Sequence, residues 1–158
     1  MDLVMVVKST AVPGETWIAR SSGCVFDIGS KNRPIVGSLE INSARWDFNF
    51  SAEDRHFITL HEITHTLVFS IVPTYTDNWT VDEVKYSDLT DVSKRDITKV
   101  STFRGTTSKM IVTPTVVEKA REIYGCTTLE GLELEQQGGA GTEGSHWDKR
   151  IAREDYMV

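Results

Sequence analysis

Leu60-His61-Glu62-Ile63-Thr64-His65-Thr66-Leu67 is a His-Glu-x-x-His sequence set in a stretch whose apolar spacing is helical. Residues four apart on an α-helix project from one face, about one turn apart, so His61 and His65 can aim both imidazoles at a single point. Two ring nitrogens there can hold one zinc ion. Glu62, next round the helix, stands beside that point and is free to take a proton from a zinc-bound water instead of ligating. The pattern is the working part of a zinc peptidase, although short motifs of this kind also arise by chance.

The flanking residues support a stable helix. Ser51 is a good N-cap with Asp54 three residues on, an approximate capping box, and Glu53 and Asp54 put negative charge where the helix dipole favours it. Phe57, Leu60, Ile63 (or Thr64), Leu67 and Ile71 recur at helical spacing, which predicts a helix of about 18 residues with that side buried.

Before the motif, the valine-rich residues 2–8 read as a buried strand that ends at a Pro13-Gly14 turn, and residues 16–20 and 24–28 read as two further short strands. Residues 34–42 alternate from Val36 onward into a half-buried strand. Pro34 at its start and Gly37 within it suit an edge position, where an extended peptide could add along Gly37, Ser38 and Leu39. An ordinary edge strand without a ligand fits the same pattern.

After the motif, residues 73–107 are polar and lack sustained periodicity, so they read as a long excursion over the surface. Met110-Ile111-Val112 reads as a strand. Thr113-Pro114 is a cap followed by proline at the first helical position, and the helix over 115–124 stops at Gly125. Val117, Ala120, Ile123 and Tyr124 give it one apolar face for core packing.

The 158 residues, 39% of them hydrophobic, suit one domain over 1–158 with a substantial core. A net charge of −6 and a pI near 5.2 argue against a nucleic-acid or anionic-membrane surface, because those partners reward clustered Lys and Arg. No apolar run approaches the ~18 residues of a membrane span, so no transmembrane segment is expected, and the first residues lack the basic start of a signal peptide. Cys24 and Cys126 could pair with each other, stay reduced, or bridge to partners elsewhere.

A catalytic zinc takes three protein ligands and leaves one position open. One candidate for the third is Glu83, eighteen residues after His65, which is similar to the second-helix Glu of thermolysin-like peptidases but has an extra residue before its Ser-Asp pair and no Asn ahead of it. The other is His146. It follows Gly138-Gly139-Ala140-Gly141-Thr142-Glu143-Gly144-Ser145, which contains a literal Gly-x-Gly-x-x-Gly. A dinucleotide site would need a second strand and an acidic residue about 20 positions on, which do not follow, so the glycines read as a flexible approach to His146. His56, five residues before His61, points elsewhere.

Taken together, Arg55 through Ser70, a long insertion, and Leu132-Glu133-Leu134-Glu135-Gln136-Gln137 followed by the glycines and His146-Trp147 resemble the leishmanolysin family of metzincin peptidases. That family is similar in splitting its zinc signature between the second and third His and in carrying a methionine eleven residues past the third, in a turn under the metal. Met157 stands eleven after His146. The resemblance implies an α+β fold, a metzincin-type zincin catalytic core with a mixed twisted sheet, an active-site helix, a backing helix and a long insertion before the third ligand. It implies His61, His65 and His146 as ligands of one Zn2+, Glu62 as general base and Met157 as the Met-turn residue. The activity implied is a zinc-dependent metalloendopeptidase acting on extended polypeptides, secreted or held at a cell surface, with this chain as the catalytic core of something longer or a truncated relative. The family pattern has glycine three residues after the second His, where this chain has Val68; a β-branched residue in a left-handed conformation there costs about 1–3 kcal/mol. That substitution opens an alternative, a zinc-binding adhesion or interaction module with the same fold and no turnover.

Overall fold

The computed structural model describes residues 3–27, 34–47, 49–67, 69, 80–81, 84–85, 97–103, 105–139, 141–153, 155 and 157. The chain divides into two compact units, Met1–Ser70 and Ile71–Val158.

The first unit holds β1 (Val4–Thr10), β2 (Ala19–Phe26), β3 (Pro34–Asn42) and α1 (Ala52–Leu67). Its sheet runs β1-β3-β2, with β3 parallel to β1 (Val4 opposite Val36) and antiparallel to β2 (Ala19 opposite Ile41). The expectation that β3 is an edge able to accept a peptide along Gly37, Ser38 and Leu39 is therefore wrong, because both of its sides are already paired. Pro34 is tolerated because it is the strand's first residue. Gly37 serves a close approach of helix to sheet. A Cβ built there would overlap the Thr66 methyl of α1 and lie 2.7 Å from Met5 Sδ. Gly37→Ala is thus expected to destabilise the protein by roughly 1–3 kcal/mol, read as a lower denaturant midpoint with an unchanged slope.

Two further expectations change. β1 is not buried: Val4, Val6 and Val7 are 59%, 56% and 60% exposed on a terminal strand of the sheet, so the valine run reflects β-propensity without burial. The two short strands expected over 16–28 are one, β2, whose register slips between Gly23 and Val25 and leaves Cys24 as an extra residue.

In α1 the capping box forms in full. Ser51 donates from its N–H (2.9 Å) and hydroxyl (2.7 Å) to Asp54 Oδ2, and the Asp54 N–H donates to Ser51 Oγ (3.0 Å). These bonds hold the Asp54 carboxyl below its ordinary value of 3.8. Its contribution is complete above that value, where the unfolded chain's carboxyl is already ionised, and is lost as pH falls through the folded pKa. Ser51→Ala should cost about 0.5–2 kcal/mol at neutral pH, and the gap between wild-type and variant melting temperatures should narrow as the pH falls below the ordinary Asp value of 3.8. The buried side of α1 is not the apolar stripe: Glu62 and Thr66 are buried, whereas Phe57, Leu60 and Leu67 are 49%, 38% and 42% exposed. The helix turns its small and polar residues to the sheet because that is where Gly37 and Ser21 leave room.

α1 ends as the Phe69 N–H donates to the Thr64 carbonyl at 3.0 Å, the six-to-one bond of a Schellman ending. Val68, the position singled out for its β-branched side chain, lies outside the described residues. Fully buried Asn42 ties the loops of this unit together. It accepts from the Val12 and Ala44 N–H groups and donates to the Val12 and Trp17 carbonyls.

The second unit contains the two-residue strands β4 (Thr80–Val81) and β5 (Val84–Lys85), then β6 (Thr98–Phe103), β7 (Thr106–Ile111), α2 (Pro114–Tyr124) and β8 (Leu132–Glu133). β6, β7 and β8 form an antiparallel sheet in that order. The β6–β7 hairpin lies largely within the stretch expected to be an irregular excursion; Gly105, at φ +81°, makes the turn between paired Phe103 and Thr106. α2 begins at an extended Thr113 with proline next and ends at left-handed Gly125, as the sequence predicts. Its apolar face is only partly buried: Ala120 is 3% exposed, but Ile123 is 73% and Tyr124 40% exposed. Both cysteines are free thiols, Cys24 exposed and Cys126 half-buried.

Candidate metal centre

In the first unit, helical spacing does what the motif requires. His61 Nε2 and His65 Nε2 face each other at 3.2 Å, with the rings nearly perpendicular at 87°. Two imidazole nitrogens so close need a proton or a cation between them. Tetrahedral zinc with Zn–N bonds of 2.0–2.1 Å holds its ligand nitrogens about 3.3 Å apart, so the pair already has the spacing of two zinc ligands. His65 Nδ1 lies 2.5 Å from the Phe69 carbonyl. A carbonyl only accepts, so Nδ1 carries the proton and Nε2 presents its lone pair, the tautomer a metal ligand needs.

Glu62 is buried between these histidines along the helix, and its backbone carbonyl accepts a hydrogen bond from the Ser21 hydroxyl on β2. Burial pushes its carboxyl above the usual carboxylate value, opposed by the charge of His61 and by Ser21. A carboxyl of raised proton affinity next to two convergent imidazoles is suited to accept and return a proton.

In the second unit His146 is buried, 6% exposed. Its position comes from a short ribbon. The Glu135 N–H donates to the His146 carbonyl (2.9 Å), Leu134 bridges Trp147, and the Asp148 N–H donates to the Glu133 carbonyl (2.9 Å). The glycine-rich run is not the flexible arm expected. It folds into a bonded turn in which the Glu143 N–H reaches the Gly139 carbonyl (3.0 Å) and the Gly144 N–H reaches Glu135 (2.9 Å), with Gly139, Gly141 and Gly144 at positive φ. His146 Nδ1 lies 3.2 Å from both the Thr142 carbonyl and Ser145 Oγ. Ser145 Oγ is also 3.3 Å from the Gly141 and Thr142 carbonyls, which can take its hydroxyl proton. Nδ1 therefore has two acceptors, and Nε2 is left as the nitrogen with a lone pair. Met157, 2% exposed, is fixed beside this ribbon: its carbonyl accepts from the Trp147 N–H and its own N–H donates to Asp155 Oδ1, both at 2.8 Å.

Four supporting groups escaped the sequence reading: Ser21, Phe69, Thr142 and Ser145. Phe69, four residues past His65, Thr142, four before His146, and Ser145, adjacent to His146, stood at a spacing that could have flagged them, and Ser21 did not. Glu83, the other candidate for third ligand, lies outside the described residues. His56 is exposed. Among the described residues, no helix is long and apolar enough to cross a membrane.

Comparison with known proteins adds the family. The family model described as leishmanolysin, peptidase M8, matches residues 1–158. Over 157 residues the chain is 33% identical to leishmanolysin from Leishmania donovani, covering 99% of this chain and 23% of that protein. Over 160 residues it is 36% identical to leishmanolysin from Leishmania tropica, covering 99% of this chain and 21% of that protein. A shorter stretch of 49 residues, 31% of this chain, is 54% identical to 7% of a leishmanolysin-like peptidase from Drosophila pseudoobscura pseudoobscura. The chain thus spans less than a quarter of the length of the Leishmania relatives it matches.

Proposed function

The chain belongs to the leishmanolysin family of zinc metalloproteases, and on that premise we propose that it carries the catalytic zinc centre of a metalloendopeptidase. The observation that carries the reading is the facing pair of Nε2 atoms at 3.2 Å, with the His65 tautomer set by the Phe69 carbonyl. His61 and His65 are two ligands. His146 is proposed as the third, supported by its buried ring, its engaged Nδ1 and its place in the family pattern, and Met157 as the residue of the turn beneath. Three neutral imidazoles leave the ion its full positive charge.

When bound, the ion supplies a Lewis acid that acidifies water and polarises the scissile carbonyl. Glu62 takes the proton from the attacking water and passes it to the leaving amine. Its burial favours holding that proton between the two transfers. The extended substrate is assigned to β2, the terminal antiparallel strand of the first sheet, because Ser21 on that strand reaches the carbonyl of Glu62 itself. The test is zinc content by elemental analysis beside cleavage of a quenched peptide. Near-stoichiometric zinc with cleavage that a chelator abolishes supports the reading. Zinc-replete protein that cleaves nothing would instead favour a binding module, and zinc well below one per chain would refute the metal centre.

A further inference from the structure

The glycine-rich turn is more than a route to His146. We infer that Gly138 is a positioning residue for His146, one whose missing side chain lets Thr142 close against the backbone and so aims the Thr142 carbonyl at the His146 ring. The inference rests on the proposed ligand set and deepens it.

A Cβ built on Gly138 would overlap Thr142 Oγ1, lie 2.9 Å from Thr142 Cβ and come within 3.3 Å of Glu135 Cγ. Unlike Gly139, Gly141 and Gly144, Gly138 has no positive φ to explain the choice of glycine; space is the reason. The neighbour it admits is the one that matters to the ring, since the Thr142 carbonyl is an acceptor at His146 Nδ1. That carbonyl also lies within reach of the Ser145 hydroxyl, the ring's second partner. A methyl at 138 must push Thr142 away, and the groups that fix the tautomer move with it. Partners of this kind hold a ligating imidazole in orientation, and their loss typically lowers metal affinity 10- to 100-fold.

The experiment measures zinc affinity by competition with a chromogenic chelator, with circular dichroism on each variant of the full chain. Gly138→Ala should weaken zinc by roughly 10- to 100-fold. Gly138→Ala combined with Thr142→Gly, which removes the obstructing side chain but keeps the carbonyl, should recover most of the loss, with Thr142→Gly alone as reference. Rescue of this kind is not expected if Gly138 merely relaxes the chain. Unchanged affinity in a folded Gly138→Ala protein overturns the inference, as does a double variant that is folded but not rescued. If Gly138→Ala fails to fold, the double variant decides, and its own failure to fold also overturns the inference. His146→Ala runs beside them: if that variant binds zinc like wild type, the ligand assignment itself has failed, and not only the role of Gly138.

Discussion

Glu62→Gln should leave zinc content unchanged and lower the rate of peptide hydrolysis by about 10²- to 10⁴-fold, the usual worth of a positioned general base. The carboxylate sits in α1 between the two histidines, and the structure surrounds it closely enough to raise its proton affinity. The amide keeps size and shape and cannot accept the proton. Because both imidazoles and the Phe69 contact are untouched, metal binding provides the internal control. Retained zinc with lost turnover separates a proton-transfer role from a structural one. Activity within a few-fold of wild type would end the general-base assignment and leave the carboxylate as a buried structural group.

His146→Ala should reduce zinc affinity by more than about 100-fold, beyond the range that outer partners of a ligand command. Two imidazoles from one helix turn bind zinc weakly, and a third ligand closes the site. His56→Ala, on the exposed part of the same helix, should change nothing. Equilibrium dialysis against buffered zinc distinguishes the two. If His146→Ala matches wild type, the third ligand lies elsewhere in the chain, and Glu83 becomes the variant to make.

The parts of the fold that were legible were those written in local chemistry. Ser51 and Asp54 announced a capping box, Pro114 and Gly125 bracketed α2, and the four-residue spacing of His61 and His65 became convergent nitrogens. What was illegible depends on partners far along the chain. Valines in β1 looked like core, but nothing in a strand's own residues says whether a neighbour covers it. Gly37 looked like an edge signal, and only the helix laid across it shows that space for Thr66 was the cause. Likewise the apolar stripe of α1 was read as its buried side, while the sheet-facing surface carries Glu62 and Thr66. In the site, the proposed ligands and base stand in the motif itself. Their supports do not, because three of the acceptors involved are backbone carbonyls, of Phe69, Glu62 and Thr142, and a carbonyl has no letter in a sequence.

One of those carbonyls has a wider reach. Phe69 donates its N–H to close the helix ending and offers its oxygen to His65, so one residue serves both the winding of the last turn and the aim of an imidazole. With His65 as a ligand, as proposed, cation capture and the tightness of that turn are reciprocal by thermodynamic linkage. Whatever loosens the chain beyond Leu67 raises the apparent dissociation constant, and saturation with zinc returns the same free energy as protection of the helix terminus.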